Sequence, residues 1–323
     1  MGLRVPPLLR DRRVLVAIQL VVAVLVVVFL AYFLRDAWAE AWPLLRHADV
    51  LDVTIGVGLI AAYYLLFVVG WQWILASLGI RVGYSVALQA EMASMLAKYV
   101  PGTVWTPLAR IVWLRRTGVH STSVVVGSIL LEAALSALSG ILVFAIGLLW
   151  VEGADAPIIP LAAFSLVVGV LIHPRIFRPL SRRVFERFGG TEAPALPYRT
   201  MLGLVAYYAF TWIVGGAALF FLLRSLGGDP ALSSIPYLGG TAAVGAIAAV
   251  LSFFAPSGLG VREGSMYGLM LAVATGGVAL GATVLNRLAI TIVEAALLAI
   301  AFLAWRVARR GEVPASGPVA EAP

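Results

Sequence analysis

The sequence predicts an all-α polytopic membrane protein with six to eight transmembrane helices. Three observations carry this: 62% of its 323 residues are hydrophobic and only 12% charged, at a mean hydropathy of +1.00; long uncharged runs recur along the chain; and the basic residues gather on alternate loops. A soluble domain with one or two cores does not have this composition, and a bundle of membrane helices does. The chain has no cysteine, which excludes disulfides, thiolate metal sites and cysteine nucleophiles. Its net charge of +7 is carried by arginines that flank apolar segments and form no separate basic domain, so they read as membrane-surface charge and not as a nucleic-acid surface.

Residues 1–13 form a short basic arm with Arg4, Arg10, Arg12 and Arg13. Residues 14–34 are 21 positions without a charge, long enough to span and too long for the apolar region of a signal peptide. Residues 35–52 read as a mixed loop with Trp38 and Trp42 at the interface, followed by a second span at 53–78. Residues 85–100 are weakly amphipathic, with Glu91 read on the polar face of an entry helix. The third span, 121–151, contains Glu132; the fourth, 158–173, ends at His173-Pro174, an interfacial histidine by its place. A basic loop over 175–199 leads to the fifth span at 201–223. Residues 278–305 form the last span, with Asn286, Arg287 and Glu294. The tail, 306–323, is polar and proline-bearing and is expected to be a disordered cytoplasmic segment. Residues 14–305 are thus one transmembrane domain.

Two stretches interrupt this pattern. Residues 98–107 contain Lys98, Pro101 and Gly102, and residues 252–264 contain Pro256, Gly258, Gly260 and the pair Arg262-Glu263. Proline removes a backbone donor, and glycine allows conformations a helix does not use. At membrane depth such backbone survives only inside protein or beside a wet cavity. The apolar runs flanking the second break, 236–251 and 265–274, read as short for a full crossing, so both breaks read as re-entrant elements. With the amino terminus inside, 18 of the 23 basic residues lie on the inner side and three outside, which places both termini in the cytoplasm.

The chain also resembles itself. Leu131-Glu132-Ala133-Ala134-Leu135 matches Val293-Glu294-Ala295-Ala296-Leu297, and each copy follows a proline-containing break. On this topology the two glutamate helices run in opposite senses and the breaks enter from opposite faces. That is the inverted-repeat arrangement of alternating-access carriers.

Glu132 and Glu294 are the sharpest candidates, because a carboxylate in an apolar span is paired, neutralised or functional. They serve proton coupling or a structural ion pair, Glu294 with Arg287 and Glu132 with an arginine at a break. Arg262, Arg287 and Arg110, with Lys98 and Glu263, suit an anionic head group, since guanidinium holds phosphate bidentately. A helix beginning near Val261 adds free N–H groups for an anion. Pro101, Gly102, Pro256, Gly258 and Gly260 are the candidate gating positions. No metal-ligand cluster, nucleotide-binding fingerprint or catalytic motif occurs, so the expectation is no cofactor, no metal and no enzyme.

The motifs Lys98-Tyr99-Val100-Pro101-Gly102-Thr103-Val104-Trp105, Arg115-Arg116-Thr117-Gly118-Val119, Ser128-Ile129-Leu130-Leu131-Glu132, His173-Pro174 and Phe254-Ala255-Pro256-Ser257-Gly258-Leu259-Gly260-Val261-Arg262-Glu263-Gly264 resemble the lysylphosphatidylglycerol synthase transmembrane-region family of flippase-like membrane proteins. Ser257 departs mildly from that family's Pro-Gly-Gly. The resemblance implies a helical domain that moves lipids between leaflets. About 18 residues follow Trp305, too few for the aminoacyl-transferase of fused members, so a stand-alone member is expected. The expected function is translocation of an anionic phospholipid or polyprenyl-phosphate-linked intermediate in the cell membrane. Its partners would be such lipids and enzymes of envelope or glycan synthesis. The alternatives are an integral-membrane lipid or glycan transferase centred on Arg262-Glu263, and a non-transporting partner of an envelope-synthesis complex.

Overall fold

The computed structural model describes residues 35–97, 105–151, 196–252 and 260–311, together with Pro179 and Gly258. The described residues are helical, with no strand. The helices are α1 (Arg35–Arg46), α2 (Val50–Ser77), α3 (Tyr84–Ala97), α4 (Trp105–Arg116), α5 (Thr122–Gly147), α6 (Tyr198–Ser225), α7 (Ile235–Leu251), α8 (Val261–Met270) and α9 (Gly276–Gly311). The expected spans at 14–34 and 158–173, and Lys98, Pro101, Gly102, Pro256 and His173, lie outside the described residues.

Among the described residues five segments are long and apolar enough to cross a membrane: Val50–Ser77, Thr122–Trp150, Tyr198–Ser225, Leu232–Leu251 and Gly276–Ala304. The fourth corrects one expectation. A 3-10 turn at Leu232–Ser234 precedes α7 and lengthens the arm before the second break to 20 residues, enough for a crossing. Two further differences concern the ends. The stretch read as an interfacial loop forms α1, where Trp42 and Arg46 stack at 4.9 Å and Glu40 accepts a hydrogen bond from the Gly277 N–H at the start of α9 (3.2 Å). In addition, α9 continues past Trp305 to Gly311. The basic residues 306, 309 and 310 fall in its final turns, where the helix dipole favours cations.

The helices turn apolar residues outward and keep their polar residues on the buried face, among a largely apolar core. Along α9, Leu288, Ile292, Ile300 and Phe302 are exposed, while Asn286, Ile290, Val293, Glu294, Leu297 and Ala301 are buried at helical spacing. On α5 the buried face carries Ser128, Glu132, Ser136 and Ser139. Hydrocarbon solvates the outward residues, and only the protein interior can satisfy the inward ones.

The internal repeat is visible in the packing. Each half has the order long helix, shorter helix, short helix, glutamate-bearing long helix: α2 to α5, then α6 to α9. The two leading helices are each 28 residues and pack on one another. Around them α3 packs against α9 of the other half, and α7 packs against α5. Asp52 on α2 and Arg224 on α6 form a two-pronged ion pair near one end of the leading helices, with Arg224 Nε donating to Asp52 Oδ2 at 2.7 Å. The α6–α7–α5 contact is backbone-tight. A Cβ at Gly216 would lie 2.5 Å from the Gly239 nitrogen, and one at Gly240 would lie 2.7 Å from the Phe144 nitrogen. Membrane helices, lacking a hydrophobic drive to associate, approach closely through such small residues.

Candidate functional site

Both breaks are followed by a short helix carrying an arginine near the glutamate helix of its half. What the two arginines meet is different.

In the first half, Arg110 on α4 is buried (5% exposed) between Glu91 on α3 (2%) and Glu132 on α5 (3%). Its Nη1 donates to Glu132 Oε2 at 2.5 Å, its Nη2 pairs with Glu91, and its Nε donates to Ser94 Oγ at 3.3 Å. The guanidinium lies 4.5 Å from the Trp71 ring centroid, and the Trp71 indole N–H is fixed by Ser128 Oγ (3.0 Å). The cation–π contact and the two carboxylates satisfy a charge that could not otherwise be held in this interior. Among the described residues the cluster sets two carboxylates against one guanidinium. Glu132 Oε1 and the buried Tyr208 hydroxyl have no hydrogen-bond partner among the described residues.

Arg110 is thus engaged by protein, and Glu91 faces the core instead of lying on a solvated polar face. The sequence carried a signal for this. On a helix at membrane depth an ionisable residue faces the protein interior, so the argument made for Glu132 applied equally to Glu91.

In the second half the break is shaped by Gly258 (φ +67°) and Gly260 (φ +84°), left-handed positions that favour glycine. The Glu263 carboxylate accepts from the Gly260 N–H (2.7 Å), capping α8, and its other oxygen lies 3.4 Å from Arg287 Nη1 on α9. Arg287 therefore pairs with Glu263 and not with Glu294. Glu294 instead accepts a 2.5 Å hydrogen bond from the Tyr64 hydroxyl, joining α9 to α2 across the two halves. A buried charge-assisted bond of this kind is worth about 1.5–3 kcal/mol. Tyr64→Phe is expected to destabilise the protein by that order in a thermal unfolding series; an unchanged midpoint would show that Glu294 does not depend on Tyr64.

Beside this pair is a small cavity of about 40 Å³, walled by Tyr63, Tyr64, Trp212, Asn286 and Ile290 and lined also by Arg262 from the second position of α8. Tyr63 packs on Trp212 (centroids 5.5 Å apart), and Trp212 is oriented by an indole N–H bond to the Ser136 carbonyl (2.9 Å). Among the described residues no carboxylate pairs with Arg262. Nothing in the residue pattern singles out Tyr63, Tyr64 or Trp212, since aromatic residues are common in spans. Their role follows from where α2 and α6 meet α8 and α9. Among the described residues no group of three or more His, Cys, Asp or Glu side chains could hold a metal ion.

An all-helical, multi-pass membrane protein with a buried Glu–Arg–Glu cluster among its helices is the class these features define. Residues 16–298 match the family described as Lysylphosphatidylglycerol synthase TM region, and the chain belongs to that family, a membrane domain associated with lipid-related functions. No curated protein sequence matches it.

Proposed function

We propose that the protein translocates an anionic lipid between membrane leaflets by alternating access, the lipid being a phospholipid or a polyprenyl-phosphate-linked intermediate. The observation that carries this reading is the contrast between the two arginines. Arg110 is neutralised by two glutamates, whereas Arg262 lines a cavity with no carboxylate partner among the described residues. A guanidinium at the wall of such a cavity suits a phosphate, which it can grip bidentately. The cavity has room for little more than a few waters, so a head group enters only when the surrounding helices part.

In this reading the two halves exchange access to opposite leaflets, with the breaks as gates, and Arg262 holds the phosphate. Glu132 and Glu294 respond to protonation, coupling movement to an ion gradient. The protein acts in the cell membrane with both termini cytoplasmic and works beside enzymes of envelope or glycan assembly. The rival transferase reading needs Glu263 as its acid. That carboxylate is occupied in capping α8 and pairing with Arg287.

The test is lipid movement in proteoliposomes with fluorescent phosphatidylglycerol or a fluorescent polyprenyl phosphate, with and without a pH gradient. Wild type should move at least one of them. Arg262→Ala should slow movement by about tenfold or more, as expected for losing a charged hydrogen bond to the substrate. Glu294→Gln should remove any dependence on the pH gradient. Folded wild-type protein that moves neither lipid under any gradient would overturn the proposal.

A further inference from the structure

A second feature lies away from this site, on the outer surface of α3 and α4. At 12 residues, α4 is roughly 18 Å long, well short of the ~30 Å hydrocarbon thickness. It nevertheless turns apolar side chains outward: Trp105, Leu108 and Val112 are all exposed. Between this face and α3 runs an open groove of about 320 Å³. Ala93 and Ala109 give it a shallow small-residue floor, and the exposed apolar side chains wall it.

One end of the groove is charged. Arg116 lines it, and its guanidinium sits 5.8 Å from the Trp113 ring, which steers the cation along the groove's edge. The neighbouring Arg115 is tied back to Thr122 Oγ1 at 2.6 Å, so Arg116 is the residue that presents its charge there. Among the described residues no carboxylate pairs with Arg116. An apolar channel closed at one end by an exposed cation, on a helix at the membrane surface, matches the two chemistries of a single amphiphile.

We infer that this groove binds an anionic phospholipid, with an acyl chain along α3 and α4 and the phosphate on Arg116. The site is separate from the Arg262 cavity, and occupancy requires no translocation. Charge selects the lipid: a zwitterionic head group brings a cation toward the Arg115-Arg116 pair, and an anionic one does not.

The experiment uses the full chain in nanodiscs doped with a phospholipid carrying a diazirine on its acyl chain, either phosphatidylglycerol or phosphatidylcholine. Photolabel is located by peptide mass spectrometry. In wild type, labelling of the α3–α4 peptides should be about fivefold greater with phosphatidylglycerol, the preference one surface arginine confers. Arg116→Gln should bring it down to the phosphatidylcholine level, and Ala109→Phe, which fills the floor, should reduce labelling by both lipids. Arg116 is exposed, so its variant decides the question if Ala109→Phe fails to fold. Equal labelling by the two lipids in wild type, or anionic labelling unchanged in Arg116→Gln, would overturn the proposal. Because the readout is binding, its failure is distinguishable from a failure of lipid movement.

Discussion

Arg110→Ala protein is expected to be less stable than wild type by about 3–5 kcal/mol, the usual penalty for removing one partner of a buried charge cluster. The guanidinium is the only cation seen between Glu91 and Glu132 among the described residues, and it also fills the space against Trp71. Its loss leaves two carboxylates facing each other in the interior. Tryptophan-fluorescence melts in detergent would measure this. Adding Glu91→Gln and Glu132→Gln to the Arg110→Ala background should recover much of the loss, because the facing carboxylate charges are then gone. Arg116→Ala on the same helix, at an exposed position, should change stability by no more than about 0.5 kcal/mol. If Arg110→Ala melts like wild type, the cluster does not hold this half together.

Gly240→Val is expected to be the most damaging substitution on α7. Its Cβ would fall 2.7 Å from the Phe144 nitrogen, and that obstacle is backbone, which cannot swing aside as the end of a flexible side chain can. Overpacking of this kind costs roughly 1–3 kcal/mol, and more where a helix must shift. Gly268→Ala supplies the contrast. That position lies within α8 with nothing inside 4 Å of a new Cβ, so the gain in helix propensity, about 0.5–1 kcal/mol, should appear as a small stabilisation. Unfolding by detergent titration would rank the two, and a Gly240→Val protein as stable as Gly268→Ala would contradict the tight α5–α7 packing.

Much of the scaffold was legible because a bilayer imposes simple demands. Long apolar runs give α2, α5 and α6 to within a few residues and the start of α9, and glycines predicted to shape the second break have positive φ at Gly258 and Gly260. The break-then-glutamate repeat is visible again in the order of helices in each half. Partner choice was not legible. Hydropathy says that Glu132 and Glu294 must be satisfied but not by what, and Tyr64 lies 230 positions from Glu294 in the chain. Proximity in sequence misled in the same way. Arg287 is two turns from Glu294 on one helix yet pairs with Glu263 across the turn from α8. Arg110, read as part of a phosphate-binding cluster with Lys98, is held by Glu91, a residue the amphipathic pattern had assigned to a polar face.

The separation of these partners along the chain bears on how the protein is made. Arg110, Glu91 and Glu132 lie within a stretch of 42 residues, all in the first half. During synthesis that stretch emerges before the second half exists, so its most costly charges find one another without help from later helices. The bond from Tyr64 to Glu294 differs: its hydroxyl donor stands on α2, inserted long before. The last helix must therefore reach an already assembled first half before this bond can form. Ribosome-stalled intermediates ending before residue 276 should already protect the Arg110 cluster from water, whereas release of the completed chain governs when Glu294 is buried.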